Sequence, residues 1–338
     1  MIGGRVNERS GLGFGLGGSI EQQLRLLIRY ASLAPSTRNS QPWRFTVDRN
    51  VVGLWADRDR HLPAADPAGR ELYLSLGCAL ENLVVAAECA GYWHEVAYFP
   101  DRTTPDLASR IAFHPDPSPP AGRSSACTLA NLERRRTALR PFGAREIEPR
   151  VIECLRSVRG EPAVRVCLSE SAERRRVADV LSVRAVATLF GEERYRREIL
   201  AGGLSWLASQ TGKLTLAHPD PARRVARQLS ALIRSAPVIG VIGSLTDAPV
   251  DQVRSGRMLE RLWLAATAEG LSVQPISFAL QTPSTRETLA ALFPEGGTHA
   301  QQLIRIGYGA GQDGDETSRR PVKDVLVAGK NGRPVAPE

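Results

Sequence analysis

From Glu71 to Ala90 the sequence ELYLSLGCALENLVVAAECA reads as a strongly apolar helix closed by Gly91. Such a helix has to be covered on most sides. Short strand patterns lie next to it: RFTVD and VVGLWAD before it, meeting at an Arg49–Asn50 turn, and WHEVAYFP after it. Upstream, Ser19 can cap a helix from Ile20 to Leu33 with Leu24, Leu27, Ile28 and Ala31 on one face. Beyond a Pro-rich stretch at 114–125, helices over 127–136, 148–158, 171–190, 255–269 and the TPSTRETLAALF segment (which carries its own cap) alternate with the strands AVRVCLSE, APVIGVIGS, SVQPISF and QQLIRIGYG. There is no strict βαβα order and no long parallel-sheet signature. The pattern therefore predicts an α+β sandwich with helices over a central sheet.

The expected organisation is a flexible tail at 1–19, a first half at 20–113, a linker at 114–126 and a second half at 127–330. The polar helical stretch 191–235 is a candidate lid within the second half. The halves are comparable in length but are not repeats by string matching. The glycines of residues 1–19 offer a GxGxxG-like match without the preceding strand that a dinucleotide fingerprint needs.

The chain has 338 residues and a formal net charge of +8, carried mostly by arginines spread along the sequence. No basic block is interleaved with aromatics, which argues against nucleic-acid binding, while a phosphate-bearing ligand needs only a few of these arginines. The five cysteines are odd in number and irregularly spaced, with no CxxC, and no HExxH occurs. A disulfide framework or a zinc site is not expected, and a reducing cytoplasm is the expected location. No secretory signal pattern opens the chain and no apolar run approaches a bilayer span, so no membrane association is expected.

Four segments can carry chemistry. In Ala34-Pro-Ser-Thr-Arg-Asn-Ser-Gln-Pro-Trp-Arg44, Pro35 ends a helix, and Ser36, Thr37 and Asn39 crowd hydroxyl and amide groups into a turn, with Arg38 or Arg44 adding charge. Such a turn suits a phosphate or polyol chain; it equally suits helix capping beside a core Trp43. In Arg134-Arg-Arg-Thr-Ala-Leu-Arg140-Pro-Phe142, a helix would put Arg136 and Arg140 on one face with Thr137, able to grip a phosphate. A solvated basic helix end has the same composition. In Leu271–Phe278 the chain turns extended after Gly270, which would leave the N–H groups of Ile276 and Ser277 for a ligand edge; a plain buried strand reads the same way. Ser318-Arg-Arg-Pro-Val-Lys323 is either a set of cations at a strand end or a basic tail.

In order, these segments resemble the landmarks of the FMN-dependent nitroreductase family. The motif Ala31-x-x-Ala-Pro-Ser-x-x-Asn-Ser-Gln-Pro-Trp43 is the most specific match, and residues 57–91 resemble the Acg-type branch, in which one chain carries two nitroreductase-like halves. The resemblance implies a pseudo-dimer. The first half has the Pro-Ser turn without an Arg-Arg-Thr opening, and the second has the opening without the turn. The implied result is one FMN per chain, bound between the halves. Pro35, Ser36, Thr37 and Asn39 would hold the ribityl-phosphate side, and Arg136, Thr137 and Arg140 the phosphate and pyrimidine edge. Pro275, Ile276 and Ser277 would face the N5/O4 edge, with Arg319 or Arg320 over the phosphate. One extra residue between Thr137 and Arg140 departs from the family's spacing.

The implied function is an NAD(P)H-dependent oxidoreductase passing electrons through FMN to a small-molecule acceptor, in a monomeric pseudo-dimer. No catalytic base is visible, because the flavin carries the chemistry. Two alternatives share the same site: an FMN-sequestering protein with little reductase activity, and a flavin-dependent tailoring oxidase or dehydrogenase.

Overall fold

The computed structural model describes residues 18–116, 128–201, 220–309 and 317–327. Most of the expected tail, most of the expected linker and part of the candidate lid lie outside them.

Helix α1 (Ile20–Ala31) begins on a capping box. Ser19 accepts from the Gln22 N–H and the Gln22 side chain reaches back to the Ser19 N–H. Strands β1 (Trp43–Asp48) and β2 (Val51–Ala56) form the expected hairpin, with Arg49 left-handed at its turn. Helix α2 (Arg70–Cys89) runs into Gly91, whose φ of 88° turns the chain into β3 (Tyr92–Tyr98). A fourth strand, β4 (Leu107–Pro115), takes a central place in the sheet order β1-β2-β4-β3 and ends two residues inside the stretch read as linker.

The second half opens with α3 (Leu129–Arg134) and α4 (Pro149–Ser157), followed by β5 (Val164–Ser169) and α5 (Ala172–Gly191). Then come α6 (Glu193–Ala201), α7 (Pro221–Arg234), β6 (Val238–Ser244) and α8 (Pro249–Ala268). The last elements are β7 (Ser272–Ile276), α9 (Phe278–Gln281), α10 (Pro283–Leu292), β8 (His299–Gly307) and a short α11 (Val322–Val325). Helix α8 starts six residues before the expected Ser255, at a proline that suits the first helical position. The expected cap on α10 is not made by a side chain: Thr282 occupies the position without that bond.

Two four-stranded sheets result, each antiparallel throughout, in place of one central sheet. Their orders, β1-β2-β4-β3 and β5-β6-β8-β7, are the same order with each strand advanced by four. α2 and α8 hold the corresponding places in the two halves, between the second and third strands of each sheet. The like residues Gly77 and Gly256, Glu81 and Glu260, and Gly91 and Gly270 are separated by one common interval, which sets Tyr98 against Ser277. The halves are thus duplicated in architecture although not in sequence, and α2 packs against α8 at their junction. The second half differs by the insertion of α5, α6 and α7 between β5 and β6, where the first half has only the Arg49–Asn50 turn.

By length and composition α2 reaches the mark of a membrane-spanning helix, contrary to the expectation from sequence. Of its most apolar window, 89% is buried inside the protein, as in a core helix. Among the described residues no group of three or more His, Cys, Asp or Glu side chains could hold a metal ion.

Candidate functional site

The Pro35–Gln41 turn is strained. Residues Thr37–Asn39 make one 3₁₀ turn, and Arg38, Asn39 and Gln41 all adopt positive φ (53°, 57° and 50°) without being glycine. Such backbone persists only where the surroundings enforce it. Ser36 Oγ accepts from the Gln41 N–H at 2.9 Å, closing the turn on itself. The Thr37 N–H donates to Ser75 Oγ at 3.4 Å, and the Thr37 hydroxyl helps stabilise the buried Glu71 carboxylate.

The C-terminal segment crosses from the second half to meet this turn. Asn39 Nδ2 donates to the Ser318 carbonyl at 3.0 Å, and Arg319 donates to Asn39 Oδ1 at 3.2 Å and to the Leu33 carbonyl at 3.1 Å. Arg320 binds the Gln41 and Trp43 carbonyls and pairs with Asp57 at 3.2 Å. The chain then joins the outer edge of β1, where the Val327 N–H donates to the Phe45 carbonyl at 2.8 Å. The expected cations therefore sit beside the first sheet, although the strand preceding them belongs to the second.

The arginine segment does not form the expected helical face. α3 ends at Arg134 and the chain becomes extended, because Thr137 bridges Val273 in parallel and the Ala138 N–H donates to the Val273 carbonyl at 3.1 Å. Arg136 and Arg140 thus do not share a helix face; Arg136 is half-buried, with Nη1 on the Arg135 carbonyl at 3.0 Å, and Arg140 is exposed. Strand pairing at the edge of β7 outweighs local helix propensity. The arginine that turns inward is Arg135, only 3% exposed. It pairs with Glu260 at 3.2 Å, lies over the Trp263 ring and donates to the Leu33 carbonyl at 3.0 Å. Burial raises the Glu260 carboxyl to about 7 against the pull of Arg135.

Pro275 and Ile276 end β7, and Ser277 stands before α9. Ile276 is buried, and its carbonyl accepts from Gln302 Nε2 at 3.0 Å. Four residues beyond Ser277, Gln281 donates to Glu71 at 3.1 Å and accepts from the Tyr195 hydroxyl at 3.4 Å. Burial raises the Glu71 carboxyl, opposed by Arg70. Tyr195 of α6 receives Arg38 Nη2 at 2.6 Å, and burial pushes its hydroxyl up to about 12. Glu198 on the same helix accepts from the Ala64 and Ala65 N–H groups at 2.8 and 2.9 Å.

These contacts link the four segments singled out in the sequence, the arginine segment through Arg135 and not through the expected Arg136 and Arg140. The Leu33 carbonyl takes both Arg135 and Arg319, Asn39 holds the tail, and Glu71 joins the turn to the segment after β7. Sequence reasoning missed Arg135, Glu260, Glu71, Gln281 and Tyr195. Their pairings span long separations, and only the motif's neighbourhood hinted at any of them.

The protein named "Putative NAD(P)H nitroreductase Rv3131" from Mycobacterium tuberculosis (strain ATCC 25618 / H37Rv) is 30% identical over 302 residues, covering 85% of each chain. The chain belongs to the nitroreductase family. "Putative NAD(P)H nitroreductase acg" from the same strain is 26% identical over 321 residues, covering 90% of this nitroreductase and 95% of that relative. No family model matches the chain. Among solved structures, the FMN and NADPH-dependent nitroreductase NfnB from sphigopyxis sp. strain HMH aligns at 17% identity and TM-score 0.45, covering 61% of this chain and 100% of that one. The FMN-dependent NfnB from Mycobacterium smegmatis in complex with NADPH aligns at 20% and 0.42, covering 60% and 99%.

The duplicated architecture of this nitroreductase allows its two halves to be compared directly. Tyr98 stands in the first half where Ser277 stands in the second. Around it, Arg257 donates to the Tyr98 hydroxyl at 2.7 Å and pairs with Glu161 at 2.7 Å and Glu81 at 2.9 Å, while Arg261 pairs with Glu81 at 2.7 Å. Burial alone would raise the Glu81 carboxyl, but Arg257 and Arg261 outweigh it and hold it below the usual range. A closed ion cluster occupies this corner.

Proposed function

We propose that the chain is an FMN-binding, NAD(P)H-dependent oxidoreductase of nitroreductase type, with one FMN held where the two halves meet. The supporting observation is the convergence on the Pro35–Gln41 turn and the Leu33 carbonyl before it of Arg135, Gln281 (through Glu71) and the Ser318–Arg320 segment, all from the other half. The donor set suits a phosphate-bearing polyol. Hydroxyls and amides of the turn lie beside Arg319 and Arg320, while the buried acids nearby already have cationic partners: Asp57 with Arg44, Glu71 with Arg70, and Glu260 with Arg135.

In this reading Pro35, Ser36, Thr37 and Asn39 hold the ribityl-phosphate side. Arg136, Thr137 and Arg140 hold the phosphate and pyrimidine edge. Pro275, Ile276 and Ser277 face the reactive edge of the ring, and Arg319 and Arg320 keep the tail over the phosphate. Bound FMN would supply the hydride and electron-transfer chemistry between NAD(P)H and an acceptor, and these residues would bind it, orient it and exclude water. The closed cluster around Tyr98 supports a count of one, since the corresponding corner of the other half is filled by protein groups.

The test is the visible spectrum of the purified protein, mass identification of the released cofactor, and anaerobic mixing with NADPH and NADH. Bound FMN that bleaches with either donor is the expected result. A colourless protein that takes up no added FMN would sink the reading. A storage role for the same site is favoured by one observation, the docking of α6 on the first half through Tyr195 and Glu198. Under storage, neither donor bleaches the bound flavin until that docking is broken, for instance by Glu198→Ala.

A further inference from the structure

Within the Pro35–Gln41 turn the polar side chains are committed unequally. Ser36 closes the turn, Thr37 faces Glu71, and Asn39 and Gln41 hold the tail. Arg38 is different. Its Nη2 donates to the Tyr195 hydroxyl and its guanidinium lies 5.1 Å from the centre of the Tyr195 ring, yet it has no carboxylate partner among the described residues. Its Nη1 is buried without a hydrogen-bond partner. A buried guanidinium nitrogen left unpaired is costly, and the positive φ of Arg38 adds strain to that cost.

The direction of Arg38 separates it from its neighbours. Asn39 and Gln41 turn toward Ser318–Arg320, the side assigned above to the phosphate. Arg38 turns the other way, toward Tyr195 and through its hydroxyl to Gln281, four residues beyond Ser277 and thus on the side assigned to the reactive edge of the ring. A cation there, backed by an aromatic face and lacking an acidic partner, is suited to an anionic group on the acceptor rather than to the cofactor's phosphate.

We infer that Arg38 is a specificity-determining residue that receives a carboxylate carried by the electron acceptor, with Tyr195 fixing the guanidinium plane. The inference rests on the oxidoreductase reading for the identity of its ligand as an acceptor. Nη1 supplies the unpaired donor, and charge-assisted pairing there selects acidic acceptors over neutral ones of the same shape.

The experiment compares 4-nitrobenzoate with 4-nitrobenzamide, which differ in charge and little in size. Their equilibrium binding to the full chain is measured by titration calorimetry, with flavin content recorded on the same samples, for the wild type, Arg38→Gln, Arg38→Lys and Tyr195→Phe. The wild type should prefer the carboxylate by about 10- to 100-fold, the range expected of a charge-assisted hydrogen bond. Arg38→Gln should bring that preference close to one with flavin content retained, Arg38→Lys should keep part of it, and Tyr195→Phe should keep most of it. A wild type without the preference, or an Arg38→Gln protein that retains it, overturns the inference. Loss of flavin in Arg38→Gln with the amide still bound also overturns it, by moving Arg38 into the cofactor site. If the wild type holds no flavin, the oxidoreductase reading fails, while the binding ratio still decides whether Arg38 selects carboxylates.

Discussion

Gly77 of α2 and Gly256 of α8 face each other where the two helices cross. A Cβ on Gly77 would lie 2.0 Å from the Val253 carbonyl oxygen, and one on Gly256 would lie 2.0 Å from that of Leu74. Backbone packs on backbone there, and no rotamer change can make room. Gly77→Ala and Gly256→Ala should each cost about 3 kcal/mol, the upper part of the range for overpacked cores. Gly91→Ala meets no atom within 4 Å and pays only for its φ of 88°, about 1 kcal/mol. Urea unfolding of the three variants checks this order; equal losses would show that the crossing is not tight. Because this contact joins the halves, the crossing variants should lower both halves in one transition.

Adjacent arginines should separate folding from binding. Arg135→Ala strips the partner from Glu260, which is fully buried, and should destabilise the fold by about 3–5 kcal/mol. Arg136→Ala removes a half-buried side chain, whereas Arg135 is buried against a fully buried acid, so it should cost less stability than Arg135→Ala. Its effect should fall on FMN instead, weakening the affinity by about 1.5–3 kcal/mol if it grips the phosphate. Denaturation paired with flavin titration reads both quantities, and unaltered flavin affinity in Arg136→Ala removes that residue from the site.

Much of this was legible in the sequence. Ser19 announced α1, Gly91 and Gly270 marked the ends of the two long helices, and the Pro35–Trp43 motif located the turn. The failures are equally specific. β4 went unread because its last residues enter a proline-rich stretch, although it is a central strand. The Arg134–Arg140 string has good helix formers, yet the edge of β7 captures Thr137 from more than a hundred residues away. The duplication escaped string matching because it survives in strand order and in spaced pairs such as Glu81 and Glu260, whose surroundings differ: two arginines around the first, Arg135 against the second. Within the turn, composition could not say which polar side chains are spent on the protein itself.

Glu260 should give stability a measurable pH dependence. Its carboxyl titrates near 4.5 when exposed and is raised to about 7 in the fold by burial. A group with a raised folded pKa contributes stability that is complete below the unfolded value and is lost as pH rises through the folded one. Relative to Glu260→Gln, the wild type should therefore lose stability between about pH 4.5 and 7, by up to about 3 kcal/mol at about 1.4 kcal/mol per unit. His94 slopes the other way: burial lowers it from 6.5 to about 4, so its contribution is present above 6.5 and fades as pH falls. The difference between wild type and Glu260→Gln removes that second slope, and a flat difference curve would contradict the assignment.

Asp57 anchors the returning tail. It is 2% exposed and pairs with Arg44 at 2.7 Å and with Arg320 at 3.2 Å, while Arg320 also binds the Gln41 and Trp43 carbonyls. Asp57→Asn keeps the shape and removes the charge. The tail should then open more often, by the 10- to 100-fold that losing a charge-assisted contact of about 1.5–3 kcal/mol implies. Hydrogen exchange over residues 317–327 reads this directly, and tryptic cleavage after Arg319 and Lys323 should accelerate in parallel. Exchange that quickens equally across α2 and β1 would instead mean that Asp57 supports the whole first half. Exchange confined to the tail would tie the anchor to the segment that, in the proposed function, closes the flavin site.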